Sequence, residues 1–268
     1  MGDRGPSCSE ERTVSLLEVR GLTKRFGHLT AVRNLDLDVA AGERHSIIGS
    51  NGAGKTSLFH MITGRLRPTM GNVYFRDTEI TGLAPHHIAR MGLARSFQIT
   101  NIFPHLSVRE NLRLGIQAQH WHQRAWWPDR SIMSDTAERA MHLLGRLNLL
   151  VAADAVAGTL SYGDQRRLEI GLALALDPVL ILLDEPTAGM SLAATHEIVD
   201  LLRQIPREVT ILLIEHDIDV VLKLSDRVTV MHQGEVLAQG TPNEVERNAR
   251  VQDAYFGGGI RSDAGDHA

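Results

Sequence analysis

Gly49-Ser50-Asn51-Gly52-Ala53-Gly54-Lys55-Thr56 fits the pattern G-x-x-x-x-G-K-[ST]. It follows a short strand-like run from Glu43 to Ile48 and leads into Ser57 to Gly64, which reads as a helix. Strand, glycine loop and helix in that order form a cradle for a triphosphate. Glycines at 49, 52 and 54 let the backbone turn tightly and aim successive N–H groups at phosphate oxygens, and the helix presents its positive end to the same anion. Lys55 is placed to bridge the β- and γ-phosphates, and the Thr56 hydroxyl to ligate Mg²⁺. Gly49, Ser50, Asn51, Gly52, Ala53, Gly54, Lys55, Thr56 and Ser57 are therefore the candidate contacts to ATP or GTP; a plain glycine turn before an ordinary helix would not need the full spacing.

Val179 to Leu183 is apolar throughout and too short for a typical helix, as a strand buried on both faces should be. Asp184 and Glu185 sit at its carboxyl end. Asp184 can hold Mg²⁺, directly or through water, and Glu185 can orient or deprotonate the attacking water; a loose phosphoryl transition state asks chiefly for positioning and charge stabilisation. Taken alone, such a pair also suits the cap of a following helix. Val209 to Ile214 is a third buried strand, and Glu215-His216-Asp217 follows it. Strand ends in an open α/β sheet face one crevice, so the glycine loop, Glu185 and His216 are expected to converge on one γ-phosphate. His216 is one of thirteen histidines, and only this placement separates it from a solvated bystander.

Leu160-Ser161-Tyr162-Gly163-Asp164-Gln165 opens an apolar-periodic stretch through Leu168, Ile170, Leu172 and Leu174. It reads as a helix start with a capping box, Ser161 as N-cap and Asp164 at the third position. With these residues the chain resembles an ABC-transporter ATPase, whose signature sequence is Leu-Ser-Gly-Gly-Gln. The likeness runs from about Leu17 to Phe256, with motifs in the family's order. It implies an α/β P-loop NTPase core with a mostly parallel sheet, an N-terminal antiparallel β layer and an inserted α-helical subdomain. It also implies that Phe26 stacks on adenine, where a single aromatic near a turn could equally be core packing. Gln98 would touch Mg²⁺ and water, His216 the γ-phosphate, and Ser161 with Gly163 the ATP of an opposite subunit in a head-to-tail dimer. Two positions depart from the family. Asp164 replaces a glutamine, and as an N3 acid is expected to be drawn back onto the cap, away from phosphate. Ser191 stands where many relatives carry the Asp of a loop that crosses the dimer interface.

Local phrases narrow the resemblance. Thr81 to Arg90, Ser161 to Ile170 and Asn248 to Gly257 look like the ATPases of branched-chain or hydrophobic amino acid importers; the similar urea-uptake and lipopolysaccharide-export ATPases, and soluble ATPases of iron-sulfur cluster assembly, are the alternatives. The resemblance implies a second ATPase subunit, non-identical or identical, two membrane permease subunits and, indirectly, an extracytoplasmic substrate-binding protein. The permease's cytoplasmic helix would dock at Gln98 to Leu106, with Phe103 and Pro104. That places the chain at the cytoplasmic face of the inner membrane.

Composition accords with a peripheral ATPase. The chain has 268 residues, ample for one large domain, and a net charge of −4, which argues against steering onto nucleic acid through a basic surface. Cys8 is alone, so no internal disulfide forms. No apolar run approaches the roughly 20 residues that span a bilayer. Residues 1–15 read as a disordered leader without a secretory h-region, 16–256 as the ATPase domain with the helical subdomain at about 99–176, and 257–268 as a flexible tail. Leu16 to Leu22, Leu35 to Val39 and Val73 to Phe75 supply the antiparallel layer. Ser107 and Glu110 suggest another capping box, and Met133 to Leu150 a helix with Leu143, Leu144 and Leu147 on its apolar side. Trp121, Trp126 and Trp127 fall in one window flanked by His and Arg; they either pack the lobe's edge or anchor a partner's surface.

Overall fold

The computed structural model describes residues 15–95, 102–120 and 130–256. Gln98, the three tryptophans, residues 1–14 and residues 257–268 lie outside the described residues. The chain opens with β1 (Ser15–Phe26) and β2 (Leu29–Ala40), then β3 (Arg44–Gly49), α1 (Lys55–Ile62), β4 (Met70–Phe75), β5 (Thr78–Glu79), α2 (Pro85–Arg90) and β6 (Leu93–Arg95). After these come α3 (Val108–His120), α4 (Arg130–Arg146), α5 (Tyr162–Leu174), β7 (Leu180–Asp184), α6 (Leu192–Gln204), β8 (Thr210–Ile214) and α7 (Ile218–Leu224). The chain continues through β9 (Arg227–His232), β10 (Glu235–Gly240), α8 (Pro242–Glu246) and α9 (Ala249–Phe256).

Two sheets result, one antiparallel in the order β2-β1-β4-β5 and one six-stranded in the order β10-β9-β3-β8-β7-β6. In the second, only β10 runs antiparallel to its neighbour. The first hairpin is longer than its alternation predicts. Register shifts after Val19, Leu22 and Lys24 are bulges that interrupt the period of two, so pairing carries on to Phe26 where the pattern fades. Ser15, read as the end of a leader, already pairs with Ala40.

The six-stranded sheet divides the core. Leu180 and Leu182 of β7, Leu212 and Ile214 of β8 and Ile47 of β3 face α1 and the antiparallel sheet, packing against Leu58, Phe59, Leu17 and Leu37. Ile181, Leu183, Ile211 and Leu213 face the other way, onto Leu112 of α3, Leu144 of α4, Leu168 of α5 and Ile198 of α6. Leu147 is buried there and Leu143 packs beside it, partly exposed. The continuous apolar runs of β7 and β8 are explained by burial on both faces. Ser107 Oγ accepts the Glu110 N–H at 3.1 Å, but the Glu110 carboxylate turns to Arg113 and not back to the cap, so only half of the expected box forms.

Leu182→Ala and Leu183→Ala should each cost about 2–5 kcal/mol of stability by urea unfolding, because adjacent residues of one strand fill two separate cores. A nearly neutral outcome at either position would mean that one face of the sheet is open.

Candidate functional site

The loop between β3 and α1 is shaped by close backbone approach. A Cβ on Gly54 would lie 2.3 Å from the Ala31 carbonyl oxygen, and its φ of 99° is one that other residues rarely adopt. A Cβ on Gly49 would lie 2.4 Å from the Met231 carbonyl oxygen. Gly54 is also the N-cap of α1 and provides no side-chain cap, which leaves the helix's first N–H groups for an anion. The Ala53 N–H is an exception among the predicted contacts: it closes a turn onto the Ser50 carbonyl at 3.1 Å. Lys55 folds back over the loop, donating to the carbonyls of Gly49 at 2.6 Å and Ser50 at 3.1 Å. Burial lowers the Lys55 pKa, and the charges of Glu185 and Asp184 oppose that shift. Lysine and acid pair thus share one electrostatic environment. Thr56, beside it, is exposed.

Registered parallel pairing brings the acids and the histidine to the same end of the sheet. Asp184 is opposite Ile214, and Ile214 is opposite Ile47. One residue on, Glu185 takes a left-handed φ of 46°, and its carboxylate lies 4.0 Å from His216 Nδ1. His216 is more than half exposed, as a group that meets a ligand must be. Asp184 is buried, with Oδ2 held at 2.9 Å by Arg95, and its Oδ1 has no hydrogen-bond partner among the described residues. An orphaned buried carboxylate oxygen suits a cation. Among the described residues no cluster of three or more His, Cys, Asp or Glu could hold a metal, so Mg²⁺ here would need phosphate oxygens as well. Thr56 and Asp184 fit that mixed donor set; Gln98 lies outside the described residues.

Three partners of this site were not legible in the sequence. Arg95, at the end of β6, is buried, and its pKa is lowered by burial against the pull of Asp184. Glu215 is fully buried and accepts from the Thr187 N–H at 3.1 Å and the Thr187 hydroxyl at 2.8 Å, tying β8 to the turn after β7. Burial raises the Glu215 pKa, with the Thr187 hydrogen bonds opposing. Arg166 of α5 reaches the same turn. Nothing in one-dimensional spacing pairs Arg95 with Asp184 or Glu215 with Thr187, since each contact joins segments far apart along the chain. A signal was available: charged residues next to fully apolar runs have to find partners once buried.

Ser161 caps α5, accepting the Asp164 N–H at 3.2 Å, and its hydroxyl donates to Asp164 Oδ2 at 2.8 Å. Asp164 is drawn onto the cap as expected and is held from the other side by Arg167 at 3.1 Å; the reciprocal bond to the Ser161 N–H does not form. No hydrogen bond or ion pair among the described residues joins Ser161 or Gly163 to residues 49–57. Ser191 caps α6 through the Ala194 N–H at 3.4 Å. Phe26 ends β1 half exposed, with Lys24 Nζ 5.1 Å from its ring centroid, so it presents a face to solvent instead of packing in the core. Phe103 is likewise half exposed, its backbone gripped at both N–H and carbonyl by Asn111.

Residues 32–188 match the family model described as ABC transporter, and residues 235–260 match that of the branched-chain amino acid ATP-binding cassette transporter. The chain is 42% identical to the high-affinity branched-chain amino acid transport ATP-binding protein LivG of Escherichia coli K12, covering 90% of this chain and 98% of that one. It is 41% identical to the corresponding protein BraF of Pseudomonas aeruginosa over the same shares. A solved ATP-binding cassette of an ABC transporter in its ADP conformation superposes with a TM-score of 0.80 at 32% identity, covering 91% of this chain and all of that one.

Arg95→Met should cost about 3–5 kcal/mol because it strands a buried carboxylate, and Asp184→Asn in the same chain should restore much of that loss. Simple additivity in urea titrations of the cycle would show that the pair is uncoupled. Glu215 gives a pH test. Its raised folded-state pKa means that its stabilising contribution is complete below the ordinary value of 4.5 and is lost as pH rises through the folded value. The stability of the native chain relative to Glu215→Gln should therefore fall as pH rises from about 4.5 to the folded value and level off above it, and a pH-independent difference in unfolding midpoints would contradict it.

Proposed function

The chain belongs to the family of ABC transporter ATP-binding proteins, and on that premise we propose that it powers an importer of branched-chain or other hydrophobic amino acids. The observation that carries the cargo class is the second family match, over residues 235–260, which lies beyond the nucleotide-binding core common to such ATPases. The chain is an ATPase, and its chemistry follows from the convergence of strand ends.

Lys55 and the amides at the start of α1 hold the β- and γ-phosphates, with Phe26 against the adenine. Glu185 orients the attacking water and accepts its proton, and His216 contacts the γ-phosphate from the neighbouring strand end. Thr56, Asp184 and Gln98 would hold Mg²⁺, which supplies charge neutralisation at the β- and γ-phosphate oxygens when bound. Ser161 and Gly163 serve the nucleotide of a second ATPase subunit, a reading supported by the solvent-facing start of α5, which among the described residues makes no hydrogen bond or ion pair to the chain's own phosphate loop. ATP then closes the two subunits against each other, and hydrolysis removes the link.

No described helix is long and apolar enough to cross a membrane. By likeness to its relatives, the chain attaches to the cytoplasmic face of the inner membrane through two permease subunits, with the exposed Phe103 and its neighbours as the docking surface and a substrate-binding protein on the far side. The ATPase domain takes in Ser15, which already pairs in β1, and runs to residue 256, with about 99–176 as its helical subdomain.

Glu185→Gln should bind ATP as the native chain does, hydrolyse it at least ~100-fold more slowly and accumulate as a closed dimer on size-exclusion columns in ATP. A native rate in this variant would remove Glu185 from the chemistry. Affinity purification from membranes in mild detergent should recover two multi-span proteins and a second ATPase; recovery with soluble assembly proteins alone would overturn the transport role and leave the ATP chemistry standing.

A further inference from the structure

The turn that follows β7 is held by one side chain from a different part of the chain. Arg166 lies five residues beyond the Ser161 cap of α5, and its guanidinium is buried. One terminal nitrogen donates to the carbonyls of Asp184 and Glu185, both at 2.9 Å, and Nε donates to the Pro186 carbonyl at 3.2 Å. The other terminal nitrogen meets Glu169 Oε2 at 2.5 Å. Three consecutive carbonyls are thus gathered by one rigid fork, at the point where Glu185 holds a left-handed φ of 46°. Such a backbone conformation is disfavoured for a side-chain-bearing residue and persists only where its surroundings over-determine it.

We propose that Arg166 is a positioning residue for Glu185, fixing the backbone that aims the catalytic carboxylate and tying it to the helix that begins at Ser161. The inference rests on the assignment of Glu185 above and adds a determinant of hydrolysis that acts through the backbone of residues 184–186. Its chemistry is specific to arginine. Lysine keeps the charge opposite Glu169 and most of the aliphatic stem, but its ammonium is a point donor and cannot span three carbonyls in a row. Glutamine at 169 has the opposite effect: the ion pair is lost while the fork's reach to the turn is retained.

The test compares Arg166→Lys, Glu169→Gln, the double variant Arg166→Gln/Glu169→Gln and Glu185→Gln in the full chain, with thermal unfolding to confirm that each is folded at the assay temperature. The double variant removes both charges of the buried Arg166–Glu169 pair together, so it keeps the test available if lysine alone is not tolerated. Both Arg166 variants should lose at least ~10-fold in kcat while equilibrium ATP binding stays within about twofold, since misplacing a catalytic group impairs the transition state and not the ground-state complex. Glu169→Gln should keep kcat within about twofold even though it gives up the ion pair. Native kcat in the Arg166 variants, or an equal kcat loss in Glu169→Gln, would overturn the proposal and reduce Arg166 to a stabilising contact. Glu185→Gln separates the two levels: if it hydrolyses ATP at the native rate, the assignment of Glu185 itself has failed, whereas an inactive Glu185→Gln beside a fully active Arg166→Lys refutes only the positioning role.

Discussion

Parallel pairing of β3, β8 and β7 is the constraint from which the site follows. Ile47, Ile214 and Asp184 stand side by side across three strands, so the phosphate loop, His216 and Glu185 leave the sheet at one level. A parallel ladder buried on both faces has little freedom to slip, because a one-residue shift would exchange Leu182 with Leu183 between two different cores. The same burial that makes these strands apolar throughout also fixes where their polar ends emerge.

Around that level the structure spends its charged residues on the turn after β7. Arg95 grips the Asp184 side chain, Arg166 the carbonyls of residues 184–186, and Glu215 the backbone and hydroxyl of Thr187. Each is buried, and each comes from a different element: β6, α5 and the end of β8. Buried polar groups so connected are costly to disturb one at a time, which is a means of holding a left-handed glutamate in place. The turn is therefore joined to α5 through Arg166 and to the end of β8 through Glu215.

The two departures from the family's motifs resolve differently. Asp164 and Ser161 close on each other, and Arg167 takes the remaining carboxylate oxygen, so the acid's charge is engaged by partners of its own helix. Ser191 becomes the N-cap of α6, a task that a short hydroxyl side chain performs as well as an aspartate would. Both substitutions thus keep local helix chemistry intact.

The sequence by itself determined the family and most of the fold, and it named the residues proposed for the nucleotide site. G-x-x-x-x-G-K-T between a strand and a helix, an acid pair after an apolar run and a histidine after another are local patterns whose meaning survives without coordinates. Strand boundaries near residues 44, 180 and 210 were legible for the same reason: burial on both faces leaves an unbroken apolar stretch. The first hairpin was underestimated because its bulges disturb the alternation that announces a strand. Tertiary structure alone decided which charges support the site. Arg95 is distant in sequence from Asp184, Arg166 from Glu185 and Thr187 from Glu215, and each pair meets only because strands and helices far apart along the chain are packed side by side. Such contacts are set by packing, which the order of residues encodes collectively and no single spacing reveals.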